Sequence, residues 1–255
     1  MKKRRRKGIF LLPNLLTSMS LFCGFYSIIA AIDKKFIYAS AAIFVAAIFD
    51  AMDGRVARMT GTSSKFGVEY DSLADVIAFG VAPGILAYLW GLKGYGRFGW
   101  LAAFLYVACG ALRLARFNIQ VDNVQKKHFL GLPIPAAAAT IAATVLFVME
   151  IGEPLTQMKR FVMPVLMYAL AFLMVSRVHY QSFKEMRFFR EKPFEAVVIA
   201  VILLVIILIE PSIVLFVMAM GYMLSGPVYY LIKGRKAVSE DYHSREGLTR
   251  QDGRL

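Results

Sequence analysis

Residues 49–80 read FDAMDGRVARMTGTSSKFGVEYDSLADVIAFG. The run before them, FIYASAAIFVAAI (36–48), and the run after Asp75, VIAFGVAPGILAYLW (76–90), are apolar. Four aspartates, Asp50, Asp53, Asp71 and Asp75, are therefore carried on two consecutive segments with the hydropathy of membrane spans. An aspartate at the centre of a spanning helix costs about 2.5–3.5 kcal/mol on insertion scales, and such residues mark function.

Working outward, the whole chain has the same character. Hydrophobic residues are 58% of its 255 positions and charged residues 18%, a balance that would leave a soluble domain covered in apolar patches. A spanning helix needs about 20 mostly apolar residues. Eight segments qualify, at about 13–32, 37–58, 66–91, 98–117, 133–151, 161–177, 194–209 and 212–232. The expected fold is all-α, a polytopic membrane protein built as a bundle of about eight transmembrane helices. A basic N-tail (1–12) and a polar C-tail (233–255) flank the membrane domain (13–232). The start of the chain superficially resembles a signal peptide, but its apolar run is too long for one and reads as a retained first helix. Glu210 and Pro211 alone separate the last two spans, which implies a tight hairpin or one long broken segment.

The net charge is +13, and its placement argues for a membrane rather than nucleic acid. The cations sit in short loops and tails, without the aromatic-interleaved basic face of a nucleic-acid binder. With the N-terminus cytoplasmic, 24 of the 30 Lys and Arg face inward, as the positive-inside rule requires. Both termini and the loop between the two aspartate-bearing spans are then cytoplasmic. Cys23 and Cys109 lie in apolar runs and show no ligand or disulfide spacing. The basic, Phe-rich sixth loop reads equally as an interfacial helix or a solvated connector.

Helical geometry brings the aspartates together. At 1.5 Å per residue, Asp50 lies about 12 Å in from the end of the second span and Asp75 about 15 Å along the third. In an antiparallel pair these two deep carboxylates face each other, and so do the shallow ones, Asp53 and Asp71. Gly54 and Gly67 remove side-chain bulk where a ligand or another backbone comes close. Four close carboxylates must be neutralised by protons or cations. Hard divalent cations with oxygen ligands, Mg2+ or Mn2+, suit them, and paired ions can hold a phosphate bridge. An EF-hand is excluded, because its first and third positions would be Phe49 and Ala51. An enzyme and a cation transporter with a carboxylate relay both remain open on these grounds.

The spacing Asp50-x2-Asp53-Gly54-x2-Ala57-Arg58-x8-Gly67-x3-Asp71-x3-Asp75 resembles, at all eight fixed positions, the signature of the CDP-alcohol phosphotransferases. LPNLLTSMSLFCG (12–24), DSLADVIAFGVAPG (71–84), ALRLARFN (111–118) and FLGLPIPAAA (129–138) are similar to a branch of that family, the bacterial and archaeal membrane-type phosphatidylserine synthases. Phosphatidylglycerophosphate synthases typically carry Pro after the third aspartate and Lys after the fourth, where this chain has Ser72 and Val76.

The resemblance implies that CDP-diacylglycerol and L-serine give phosphatidylserine and CMP. It implies two divalent ions, with Asp50, Asp53, Asp71 and Asp75 as ligands and Asp75 also as general base. It implies CDP-diacylglycerol contacts at Asn14, Thr17, Gly54, Arg58, Ser64 and Gly67. It further implies membrane lipids as surroundings, a homodimer, and a site at the cytoplasmic face of the inner membrane. Arg113, Arg116 and Asn118, at the cytoplasmic end of the fourth span, are candidates for the acceptor site. The arginines read either as snorkelling anchors or, for at least one, as a clamp on the serine carboxylate. Other acceptors, glycerol 3-phosphate or inositol phosphate, would need pockets richer in Arg and Lys. His128 reads as a loop residue, and GLPIPAAAA as a proline-started span with a small-residue packing face.

Overall fold

The computed structural model describes residues 11–60, 64–121, 129–152, 155–180 and 193–230, and structural statements below concern these. Eight helices account for nearly all of them. They are α1 (Leu11–Ile32) and α2 (Phe36–Thr60), α3 (Lys65–Tyr95), α4 (Arg97–Val121), α5 (Ile134–Ile151), α6 (Leu155–Val175) and α7 (Pro193–Ile209), and α8 (Pro211–Tyr230). Six of these, all but α6 and α7, are long and apolar enough to cross a membrane. The apolar part of α6, Phe161–Val175, is shorter, and α7 has 17 residues. The all-α, multi-pass expectation is met. Residues 1–10 of the N-tail, the C-tail, residues 181–192 of the sixth loop and His128 lie outside the described residues.

Small residues set the packing of the first two helices. On α1 the side chains of Thr17, Ser20 and Ser27 are buried, at the three-to-four-residue spacing of one helical face. The facing stripe on α2 is Ala39, Ala42, Ile43, Ala46 and Asp53. Short side chains let the two backbones approach, as membrane helices require without a hydrophobic drive between them. The hydroxyls then cross the gap: Ser27 Oγ donates to Ala39 O at 2.8 Å and Ser20 Oγ to Ala46 O at 3.1 Å. Gly24, between them, backs onto α3, where an added Cβ would sit 2.6 Å from Ala78 Cα. These contacts fix the rotation of α2, and hence where its aspartates point.

α3 is not a uniform helix. It is α-helical over Lys65–Asp75, widens to π turns at Val76–Val81, and widens again at Tyr88–Leu92. Ser64 starts it by accepting the Gly67 N–H at 3.0 Å, an N-cap that satisfies a first-turn donor. Pro83 cannot donate a backbone hydrogen bond, so the Phe79 carbonyl one turn earlier lacks its usual partner. The buried Tyr106 hydroxyl on α4 donates to that carbonyl at 2.9 Å.

α5 is the most enclosed of the six apolar helices. Its Ala137, Ala138, Ala142 and Ala143 are fully buried, so the small-residue face read in GLPIPAAAA is a packing face. Before it, Phe129–Leu130 pairs antiparallel with His179–Tyr180, with Leu130 opposite His179. This two-residue pairing is an addition to the helical reading. It places Tyr180 against α8, where its hydroxyl donates to Met223 O at 3.0 Å. Burial pushes that hydroxyl up to about 12, so it stays a donor at neutral pH. Gly226 makes the contact possible, since a Cβ there would lie 2.7–2.8 Å from ring carbons of Tyr180.

The break between α7 and α8 is one residue wide. Glu210 N–H donates to Ile206 O and Val214 N–H to Glu210 O, both at 3.1 Å. Helix-type bonds therefore resume on either side of Pro211, and the interruption is centred on the donor that proline lacks.

Candidate active site

Helices α2 and α3 bring the four aspartates into one cluster. One carboxylate oxygen from each of Asp50, Asp53 and Asp71 lies within 4.8 Å of the other two. Asp75 lies beside Asp50, within electrostatic reach of Asp71 and Asp53. The deep pair and the shallow pair thus meet across the two helices as helical rise predicts. The donor set is all carboxylate oxygen, which suits a hard divalent cation, and oxygens this close can converge on one ion after small side-chain movements.

Neighbours from α1 set the orientation of the cluster. Thr17, 3% exposed, donates from Oγ1 to Asp53 Oδ2 at 2.8 Å. The same oxygen lies 3.1 Å from Pro13 O, so its single proton is shared between two acceptors. Ser18 Oγ bonds Asn14 O at 2.8 Å and meets the Tyr70 hydroxyl at 2.8 Å, tying α1 to α3 beside Asp71. Tyr70 also stacks on Phe66, with ring centroids 6.0 Å apart.

The expected nucleotide-contacting residues surround this cluster. Arg58 is exposed and folds back over Gly54, its guanidinium nitrogens 3.4 and 3.8 Å from where a Cβ would be. It acts electrostatically on Asp53. At Gly67 a Cβ would lie 3.2 Å from Ser64 Oγ and 3.3 Å from Asn14 Oδ1. Asn14, Ser64 and Gly67 therefore converge at one edge, where Ser64 also serves as the helix cap. Thr17 sits deeper, with its hydroxyl directed to Asp53.

The three acceptor candidates separate. Arg113 is buried, 9% exposed, and its Nε has no hydrogen-bond partner among the described residues. It is in electrostatic contact with Asp75 and with Tyr222 of α8. Arg116 is only partly buried. Asn118 Nδ2 donates to Ser72 Oγ at 2.9 Å, and Ser72 in turn donates to Val68 O, so Asn118 braces α4 against α3.

An acidic cluster braced by α1, with a buried arginine behind its deepest carboxylate, can hold a cation against an anionic ligand and take up a proton beside it. A family model described as CDP-alcohol phosphatidyltransferase matches residues 10–176. The chain belongs to the CDP-alcohol phosphatidyltransferase family. Among curated relatives in this family, a CDP-diacylglycerol–serine O-phosphatidyltransferase of Helicobacter pylori is 39% identical over 225 residues, covering 88% of this chain and 92% of the relative. An archaetidylserine synthase of Methanothermobacter thermautotrophicus is 37% identical over 184 residues, covering 71% and 73%. A CDP-diacylglycerol–serine O-phosphatidyltransferase of Mycobacterium leprae is 38% identical over 156 residues, covering 59% and 52%. The family match ends inside the helical region, before α7 and α8.

The geometry adds residues that the sequence reading did not single out. Ser18 and Tyr70 are ordinary hydroxyls in the sequence, and Ser72 stands out there only for its contrast with a related family, not for its bond to Asn118. Tyr222 lies in a separate apolar span about 150 residues from the aspartate motif, with no spacing signal to connect it.

Proposed function

We propose that this protein is a membrane-embedded phosphatidyltransferase that makes phosphatidylserine and CMP from CDP-diacylglycerol and L-serine. The observation that carries the reading is the convergence of four carboxylates from α2 and α3 beside Arg58 and Arg113. The names of its relatives support serine as the acceptor. The charge asymmetry of the loops supports a site on the cytoplasmic side of the cell membrane. There the lipid tails stay in the bilayer while CDP and serine reach the site from water.

Asp50, Asp53 and Asp71 would hold divalent cation, Mg2+ or Mn2+, with Asp75 completing the set for a second ion. When bound, the ions neutralise the carboxylates and the charge of the lipid pyrophosphate. Arg58, exposed above Gly54, pairs with a phosphate of the CDP group. Asn14, Ser64 and Gly67 form the other edge of the nucleotide site, with room for backbone approach where Gly67 lacks a side chain. Thr17 holds Asp53 in position.

The serine hydroxyl is a weak nucleophile at neutral pH, and Asp75 accepts its proton as it attacks. The serine oxygen bonds to the β-phosphorus, which bears diacylglycerol. The bond from that phosphorus to the bridging oxygen breaks, and CMP leaves with the electron pair. Arg113 is the arginine placed for the serine carboxylate: it is buried, incompletely paired, and next to Asp75.

The transporter alternative needs polar groups continuing across the membrane. Beyond Asp75, α3 buries Ala78, Phe79, Leu86, Ala87 and Leu92, which favours the enzyme. The test is CMP release by purified protein given CDP-diacylglycerol, Mn2+ or Mg2+, and a panel of alcohols. L-serine is expected to support turnover well above glycerol 3-phosphate and inositol phosphate. Cation flux in sealed vesicles without CMP release would contradict the reading.

A further inference from the structure

We propose that Tyr70 of α3 is a positioning residue for CDP-diacylglycerol, acting through Ser18 to hold Asn14 at the nucleotide edge of the site. This rests on the phosphatidyltransferase reading above and deepens it.

The direction of the bonds follows from counting protons. Ser18 Oγ lies 2.8 Å from Asn14 O and 2.8 Å from the Tyr70 hydroxyl oxygen. A carbonyl oxygen only accepts, and a serine hydroxyl has one proton to give. Ser18 therefore donates to Asn14 O, and Tyr70 donates to Ser18 Oγ. The chain runs one way, from a phenol on α3 through a hydroxyl to the backbone of α1.

The end of that chain is where the shape of α1 is least fixed by its own backbone. Asn14 lies in the first turn of α1, beside Pro13, which has no N–H. The Thr17 and Ser18 hydroxyls both turn back to carbonyls four residues earlier, Pro13 O at 3.1 Å and Asn14 O at 2.8 Å. Side chains that bond back in this way compete with the helix ladder and bend it. Donation from Tyr70 occupies Ser18 Oγ as an acceptor and leaves its proton aimed at Asn14 O. Without that donation the Ser18 hydroxyl is free to turn away. Asn14 Oδ1 in turn lies 3.3 Å from where a Gly67 Cβ would be, at the edge assigned above to the nucleotide.

Tyr70 is itself held in place. Its ring stacks on Phe66 one turn earlier, with centroids 6.0 Å apart and planes 11° from parallel. Gly67, Tyr70 and Asp71 are three and four residues apart and share one face of α3. Adjacent residues of α1 thus serve the two aspartate-bearing helices: Thr17 reaches Asp53 on α2, and Ser18 meets Tyr70 on α3. This pair keeps the nucleotide edge in register with the cation cluster. The acceptor residue Arg113 is on α4, outside the chain, so the effect falls on one substrate and not on the other.

The experiment compares wild type with Tyr70→Phe, which keeps the ring stacked on Phe66, with Ser18→Ala, and with the double variant. CMP release at saturating Mn2+ gives the KM of each substrate. Each single variant is expected to raise the KM for CDP-diacylglycerol about fivefold, the effect of losing one neutral hydrogen bond, and to leave that for L-serine within about twofold. The double variant should be no worse than Ser18→Ala alone, because the two hydroxyls act in one chain. An unchanged KM for CDP-diacylglycerol, both KM values rising together as a packing defect would produce, or single effects that multiply in the double variant overturns the role of Tyr70 and leaves the phosphatidyltransferase reading intact. So does weakened Mn2+ binding in Tyr70→Phe, which would place the defect at the cations. Wild-type protein that releases no CMP with any alcohol overturns that reading and this inference with it.

Discussion

Thr17 shows how much depends on a single hydroxyl. It spans two helices to reach Asp53 at 2.8 Å, and outer partners of this kind orient ligands for a metal. Thr17→Val is expected to weaken divalent-cation binding about tenfold and to lower stability by about 1–2 kcal/mol, with Thr17→Ser recovering most of both. Mn2+ titration and thermal unfolding measure the two effects; wild-type affinity in the valine variant would remove the orienting role. Asp75 is expected to act as the base. Asp75→Asn should keep its helix content and lose about 10²–10⁴ in turnover, and CMP release at a near-normal rate would contradict the assignment. The aspartates were legible in the sequence because helix periodicity and rise place them without knowledge of packing. The Thr17–Asp53 bond was not, because it joins residues 36 apart through the rotation of two packed helices. Nor did the sequence separate Arg113 from Arg116. Three residues apart, they differ by about 60° around the axis, and only the packing of α3 and α8 decides which one turns inward.

At the scale of the element, α3 carries the site and then departs from regular helix directly after Asp75. Widened turns of this kind recur at functional positions. Hydropathy reads 66–91 as one span because it registers apolarity and not hydrogen-bond register, so the span was legible and its π turns were not. Pro83 is visible in the sequence, but the donor that compensates for it, Tyr106, comes from the next helix. Tyr106→Phe leaves the Phe79 carbonyl without that donor and is expected to cost about 1–3 kcal/mol, read as a lower Tm in detergent. An unchanged Tm would mean that this carbonyl has another partner. The pairing of Phe129–Leu130 with His179–Tyr180 was invisible for a different reason. Two residues carry no alternation, and the partners are about 50 residues apart.

For the whole molecule, the membrane reading follows from apolar helices and asymmetric charge, both plain in the sequence. Orientation gives a prediction that does not depend on chemistry. In a background lacking Cys23 and Cys109, Lys93→Cys should react with a membrane-impermeant thiol reagent in intact cells. Arg55→Cys should react only after permeabilisation, and the opposite pattern would invert the topology. The most direct test of the account asks whether carboxylates from two helices share an ion. Electron paramagnetic resonance of Mn2+ bound to the purified protein measures this without turnover. Wild type should bind Mn2+, while Asp53→Asn on α2 and Asp71→Asn on α3 should each lose most of that binding, with helix content unchanged. Wild-type Mn2+ binding in either variant would contradict the shared site.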